Sequence, residues 1–157
     1  MRIGVFDSGI GGMTVLKDLI QHFPKNTYYY LGDTANVPYG TKSTEQIKNL
    51  SRQASFYFKD LNLDFLVVAC NTASSLALSD IKDMMDPVPV VSVVEPGVVA
   101  ILNELQKKDF SVEVPILILG TKATIRSGIY GLELRKQISF NTILEQSCPL
   151  AVPFIEE

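Results

Sequence analysis

The chain has 157 residues, 46% of them hydrophobic, and 14 basic against 17 acidic side chains give a net charge of −3 at pH 7. That length fits one domain, or one domain and part of another, and an acidic chain without a basic cluster argues against nucleic acid as its main partner. The longest apolar runs, 65–69 and 88–94, are strand-sized and far too short to span a bilayer. The start, Met1-Arg2-Ile3-Gly4-Val5-Phe6-Asp7, lacks a signal-peptide pattern and runs straight into a strand. Two cysteines make no disulfide framework, so a cytoplasmic protein with reduced thiols is expected.

The chain opens with a buried strand at 3–6. Gly9, Gly11 and Gly12 then turn into a helix over 13–22, with Val15, Leu16, Leu19 and Ile20 on one face. A tyrosine-rich strand at 27–31 leads to a loop at 32–40, punctuated by Gly and Pro. Ser43 or Thr44 caps a long helix in which Ile47, Leu50, Ala54, Phe58 and Leu61 recur at helical spacing. The strand at 65–69 is so apolar that both its faces must be covered. A helix over 72–85 and a strand at 88–94 follow. Glu95-Pro96-Gly97 then breaks the pattern and marks a boundary between a first α/β domain, 1–95, and a second, 96–157. The second has a helix at 98–107, a strand at 115–119, a helix at 129–137 and a short strand at 142–144. The alternation predicts an α/β fold, a mostly parallel sheet with helices on both faces. The second unit, with roughly sixty residues, is too small for a complete doubly wound domain.

Chemistry in such a sheet gathers at the carboxyl ends of strands. Asp7-Ser8-Gly9-Ile10-Gly11-Gly12 ends the first strand and lacks both the Lys of a P-loop and the spacing of a dinucleotide fingerprint. Two readings stand. Either its amides and the following helix N-terminus hold a substrate carboxylate while Asp7 and Ser8 face the reacting centre, or Asp7 simply caps a glycine turn. Cys70 also ends a strand ahead of a helix, either as a small buried hydrophobe or as a reactive thiol whose pKa the helix lowers. Asn71 and Thr72 offer polar donors beside it, or cap the helix. Pro38-Tyr39-Gly40 either closes over the site or is a plain turn; Asp33 is read as satisfying loop amides. Thr121 and Thr124, after the strand at 115–119, either reach the site from the second unit or cap a helix. His22 reads as a helix-end side chain. One His and two distant Cys give no metal-ligand spacing and no Ser/His/Asp set.

In order along the chain, Asp7-Ser8-Gly9-Ile10-Gly11-Gly12, Gly32-Asp33-Thr34-Ala35, Pro38-Tyr39-Gly40 and Cys70-Asn71-Thr72-Ala73-Ser74 closely resemble glutamate racemase, the bacterial enzyme that makes D-glutamate for peptidoglycan. Val94-Glu95-Pro96-Gly97, Gly120-Thr121-Lys122-Ala123-Thr124, and Cys148-Pro149-Leu150 with Pro153 and Glu156-Glu157 extend the likeness. The resemblance implies two α/β domains facing each other across a cleft, no cofactor, and two cysteines on opposite faces of glutamate. Cys70 matches the first; from its place at the end of the first strand, Asp7 is expected near that thiol and to assist proton transfer between it and the substrate's amino group. Asp7, Ser8, Tyr39, Gly40, Asn71 and Thr72 match substrate-contacting positions, and Pro38 and Thr121 lie beside the same cleft.

The family's second cysteine lies in a Cys-Thr-His segment after the Cys-Pro-Leu stretch. Cys148 matches the earlier stretch, and this sequence ends at Glu157 before that segment. The resemblance therefore implies the N-terminal part of a racemase, able to bind glutamate but not to racemise it alone. A non-catalytic binding module on the same half-fold is the alternative from another class, and a racemase for another acidic amino acid such as aspartate is a third. Self-association through uncovered surfaces is also expected.

Overall fold

A computed structural model describes residues 1–107, 114–138 and 142–156. Four parallel strands form the first sheet: β1 (Arg2–Asp7), β2 (Thr27–Gly32), β3 (Phe65–Val68) and β4 (Val90–Ser92), in the order β2-β1-β3-β4. The chain leaves β1 toward one edge and β3 toward the other, so the order reverses between these two strands. That switch point is where an open parallel sheet leaves a crevice at its carboxyl end.

Both faces of this sheet are covered, as its apolar strands require. Helix α1 (Gly12–His22) lays Val15, Leu16 and Leu19 on Ile3, Val5 and Ala69. On the other face Phe6, Leu66 and Val68 pack with Ile47, Ala54 and Phe58 of α2 (Thr44–Phe58) and with Ile81 and Met85 of α4 (Leu78–Met85). Ser43 caps α2 with a full capping box: its Oγ accepts from the Gln46 amide at 3.2 Å, and Gln46 Oε1 accepts from the Ser43 amide at 3.0 Å.

The expected helix at 72–85 is divided into α3 (Asn71–Leu76) and α4, with Ala77 at φ −128°, ψ 7° between them. Ser75 Oγ donates to the Asn71 carbonyl at 2.7 Å, the back-bonding that bends helices. The strand expected at 88–94 is pared to Val90–Ser92, because Pro87 and Pro89 bring no N–H to a ladder. Glu95-Pro96-Gly97 does not break the chain. It lies within the first turn of α5 (Val94–Lys107), where the lost N–H of Pro96 is one the helix leaves unpaired anyway.

A second, two-stranded parallel sheet joins β5 (Ile116–Gly120) to β6 (Ile143–Ser147). Ile116, Ile118 and Ile143 pack on α5 and on α7 (Ile129–Arg135) in a small core with Val98 and Leu134. On the other face Leu117, Leu119 and Leu144 are 52–60% exposed. Two helices had no counterpart in the sequence pattern: α6 (Lys122–Ser127) and α8 (Ala151–Glu156). Glu157, part of the last motif, lies outside the described residues.

Candidate active site

The loops after β1 and β3 meet at the switch point, where Asp7, Ser8 and Cys70 stand together. Asp7 is 7% exposed, and its Oδ2 accepts from the amides of Gly9 at 3.1 Å and Gly12 at 3.0 Å. Two amides of the glycine turn are thus taken by the chain's own carboxylate. A Cβ on Gly12 would lie 2.5 Å from that of Asp7 and 3.1 Å from that of Ala69, so only glycine lets α1 start this close to the strand ends.

Cys70 is 4% exposed and is the N-cap of α3. Its Sγ–H donates to Ser8 Oγ at 3.2 Å, and its sulfur accepts from the Ala73 amide at 3.4 Å. The expectation of a lowered thiol pKa is not met. Burial raises the Cys70 pKa, and the charge of Asp7 raises it further; the contacts from Ser8 and Ala73 only partly offset these effects. Both effects favour the neutral thiol. It also has donors in place to receive a thiolate, because the Ser8 hydroxyl can turn to donate to the sulfur once the proton has left.

The second lobe meets the first at this point. Thr121 Oγ1 caps α6, accepting from the Thr124 amide at 3.1 Å, and lies 3.0 Å from Thr72 Oγ1. Thr124 Oγ1 is 3.3 Å from the same Thr72 oxygen. The threonines both cap a helix and reach the site. Tyr130 on α7 donates a short hydrogen bond to Asn71 Oδ1. Gly40 sits in a one-turn helix over Tyr39–Thr41, directly against Thr121.

Between the lobes lies a cavity of about 660 Å³, lined at its polar end by Asp7, Ser8, Cys70, Asn71, Thr72 and Thr121. Tyr39 and Gly40 reach the same wall. The Tyr39 hydroxyl donates to Asp33 Oδ2 at 2.7 Å, and Asn36 Nδ2 donates to both Asp33 oxygens. The Asp33 carboxylate therefore anchors the loop through the side chains of Asn36 and Tyr39, while the Asp33 backbone carbonyl accepts from the Asn36 amide at 3.1 Å. Burial and then Asp33 raise the Tyr39 pKa, keeping the phenol a neutral donor. Pro38 stands apart from the main cavity and borders a small crevice with Gly40 and Thr121. The apolar end of the cavity is walled by Leu117, Leu119, Val152 and Ile155. Cys148, at the end of β6, lines this cavity too.

His22 is exposed at the end of α1, with Nδ1 2.8 Å from the Asp18 carbonyl. Among the described residues no three His, Cys, Asp or Glu side chains gather as a metal site, and no helix is long and apolar enough to cross a membrane. Sequence reasoning missed Tyr130 and the place of Cys148 in the cavity wall. A tyrosine among the apolar residues of α7 was the available signal for the first.

The fold and site define a parallel α/β protein with a buried thiol and carboxylate at the switch point of its sheet. Over all 157 residues the chain is 43% identical to glutamate racemase from Persephonella marina, of which it covers 58%. The Campylobacter jejuni glutamate racemase structure superposes with a TM-score of 0.90 at 39% identity, over 99% of this chain and 60% of that one. The Francisella tularensis glutamate racemase, solved in complex with D-glutamate, gives 0.87 at 33% identity, over 98% and 55%. No protein-family model matches the chain. The chain is a glutamate racemase homologue, and it spans about 58% of the length of the curated relative it matches.

Proposed function

We propose that this chain carries the glutamate-binding and first proton-transfer half of a cofactor-independent glutamate racemase, the activity that supplies D-glutamate for peptidoglycan. The observation that carries the reading is Cys70 Sγ at the sheet's switch point, 3.2 Å from Ser8 Oγ and facing the same cavity as Asp7, in a homologue of those enzymes. In this reading Cys70 and Asp7 are the catalytic residues, Ser8, Asn71, Thr72, Thr121, Tyr39 and Gly40 shape the binding site, and Pro38 holds the Tyr39–Gly40 turn from the adjoining crevice. The free thiols suit a reducing, cytoplasmic setting.

Burial and Asp7 favour the neutral thiol. The ammonium group of an amino acid beside Asp7 would cancel that carboxylate's repulsion and let the sulfur give up its proton to solvent, leaving a thiolate. The thiolate then takes the α-proton, and the carbanion is held by fixed donors from Ser8, Asn71 and Thr72 in a water-poor cleft. Delivery of a proton to the opposite face requires a second acid. By its motif Cys148 is not that group.

The test is deuterium uptake at the α-carbon of D-glutamate by the 157-residue protein in D2O. We expect exchange in the wild type and in Cys148→Ser, none in Cys70→Ser because a serine hydroxyl is too weak a base, and no net change of optical rotation. Exchange at the wild-type rate in Cys70→Ser overturns the assignment. Loss of optical rotation that Cys148→Ser abolishes would make Cys148 the second acid.

A further inference from the structure

Asn71 begins α3 in the first lobe, and Tyr130 lies on α7 in the second, fifty-nine residues away. The Tyr130 hydroxyl donates to Asn71 Oδ1, and both side chains line the cavity that holds Cys70. A primary amide is planar, with its oxygen on one side and its two N–H donors on the other. Holding the oxygen therefore sets the direction of the donors. The Tyr130 ring is itself braced. It is half-buried in the second lobe's core with Val98 and Leu134, and it lies so close to α5 that a Cβ on Gly97 would come within 3.3 Å of Cε1. Burial also raises the Tyr130 pKa, which keeps the phenol a donor through the neutral range.

We propose that Tyr130 is a positioning residue: from the second lobe it fixes the Asn71 amide so that Nδ2 offers its hydrogens to a carboxylate oxygen of a bound amino acid. The inference rests on the amino-acid reading of the cavity above. It adds a coupling between the lobes. The orientation of a donor carried by the first lobe is set by the packing of the second, so a ligand that uses this donor favours the juxtaposed arrangement of both. An aspartate or glutamine at 71 could not do the same: the first has no N–H to offer, and the second adds a methylene that moves both ends of the amide.

The test uses the 157-residue protein, with isothermal titration of D-glutamate and NMR of the Asn71 side-chain NH2. Tyr130→Phe keeps the ring and its packing on Gly97 and removes only the donor. We expect the Asn71 NH2 resonances to shift in the ligand-free variant and glutamate to bind roughly 3- to 10-fold more weakly, the size of one net hydrogen bond. In an Asn71→Ala background, Tyr130→Phe should weaken binding no further. A merely structural Tyr130 would show the same loss in both backgrounds, and that result overturns the proposal. So does wild-type affinity in Tyr130→Phe. If the wild-type protein itself fails to bind D-glutamate, the amino-acid reading falls and the positioning role with it. The NH2 shift in Tyr130→Phe would then show the inter-lobe hydrogen bond to be structural alone.

Discussion

Replacing Gly40 by alanine tests whether the two lobes are held at a fixed separation. A Cβ at this position would stand 2.4 Å from Thr121 Cβ, 2.6 Å from its Cγ2 and 2.9 Å from its Oγ1. Carbon atoms pack at roughly 3.5–4.0 Å, so the first contact is about an ångström too short. Thr121 Cβ is fixed to the backbone and no rotamer moves it away. The backbone at Gly40 is not left-handed, so the contact alone excludes a side chain. Relief requires α6 to retreat from the Tyr39–Thr41 turn, which also opens the 3.0 Å contact between Thr121 and Thr72.

Overpacking of this kind costs about 1–3 kcal/mol, and the lost hydrogen bond about 1 kcal/mol. The expected destabilisation of Gly40→Ala is therefore about 2–4 kcal/mol, read as a fall in Tm of roughly 4–16 °C for a chain of this length. Thermal unfolding followed by far-UV circular dichroism measures it. Gly11→Ala is the control: there the added Cβ meets only Asp7 Oδ2, at an ordinary 3.8 Å, and Tm should stay within about 2 °C of wild type. A Gly40→Ala protein within that same margin would refute the idea that close contact at Thr121 sets the spacing of the lobes.

Three other predictions follow from single contacts. Burial pushes the Asp80 carboxyl up, but Lys48 and Arg52, both paired with it, more than reverse this and hold it below the usual range. A lowered folded-state pKa contributes stability above the unfolded value that is lost as pH falls through the folded one. Asp80→Asn should thus lower stability by about 1–2 kcal/mol at pH 7 and flatten the acid limb of a urea-midpoint profile. For Cys70 the raised pKa places the midpoint of its iodoacetamide alkylation profile above that of an ordinary thiol, and Asp7→Asn should move it down; an upward move would show that the Asp7 charge does not face the sulfur. The exposed Leu117, Leu119 and Leu144 on one face of β5–β6 predict concentration-dependent association in sedimentation velocity, reduced by Leu117→Glu.

Three strands of the first sheet were legible as short apolar runs close to their observed bounds, whereas the pattern reads β4 too long at both ends. Their carboxyl ends, and with them Asp7, Ser8 and Cys70, follow from that pattern alone. Helix punctuation was less legible. Pro96 reads as a breaker from the sequence, yet it is harmless in the first turn of α5. The bend at Ala77 comes from hydroxyl back-bonding that hydrophobic periodicity does not register. Spacing alone also misled on the Cys70 thiol. A helix N-terminus lowers a thiol pKa, but here burial and the neighbouring carboxylate outweigh it, and both depend on the fold around the strand end. Tyr130 was missed because its role is defined by a partner fifty-nine residues away.

The site separates into two physical controls. Ionisation of the sulfur is set within the first lobe, by the burial of Cys70, the charge of Asp7, the hydrogen bond between Cys70 and Ser8 Oγ, and the one donated by the Ala73 amide. The direction of the flanking donors is set between the lobes, by Tyr130 on Asn71 and by Thr121 and Thr124 on Thr72. Substitutions in the first group should move the pH midpoint of Cys70 alkylation, whereas those in the second should weaken ligand binding and leave that midpoint in place. The division follows from the difference between a charge and a dipole. A hydroxyl reorienting on Thr72 changes a dipole, whereas the Asp7 carboxylate is a full charge beside a desolvated sulfur, and only the latter is strong enough to govern a proton.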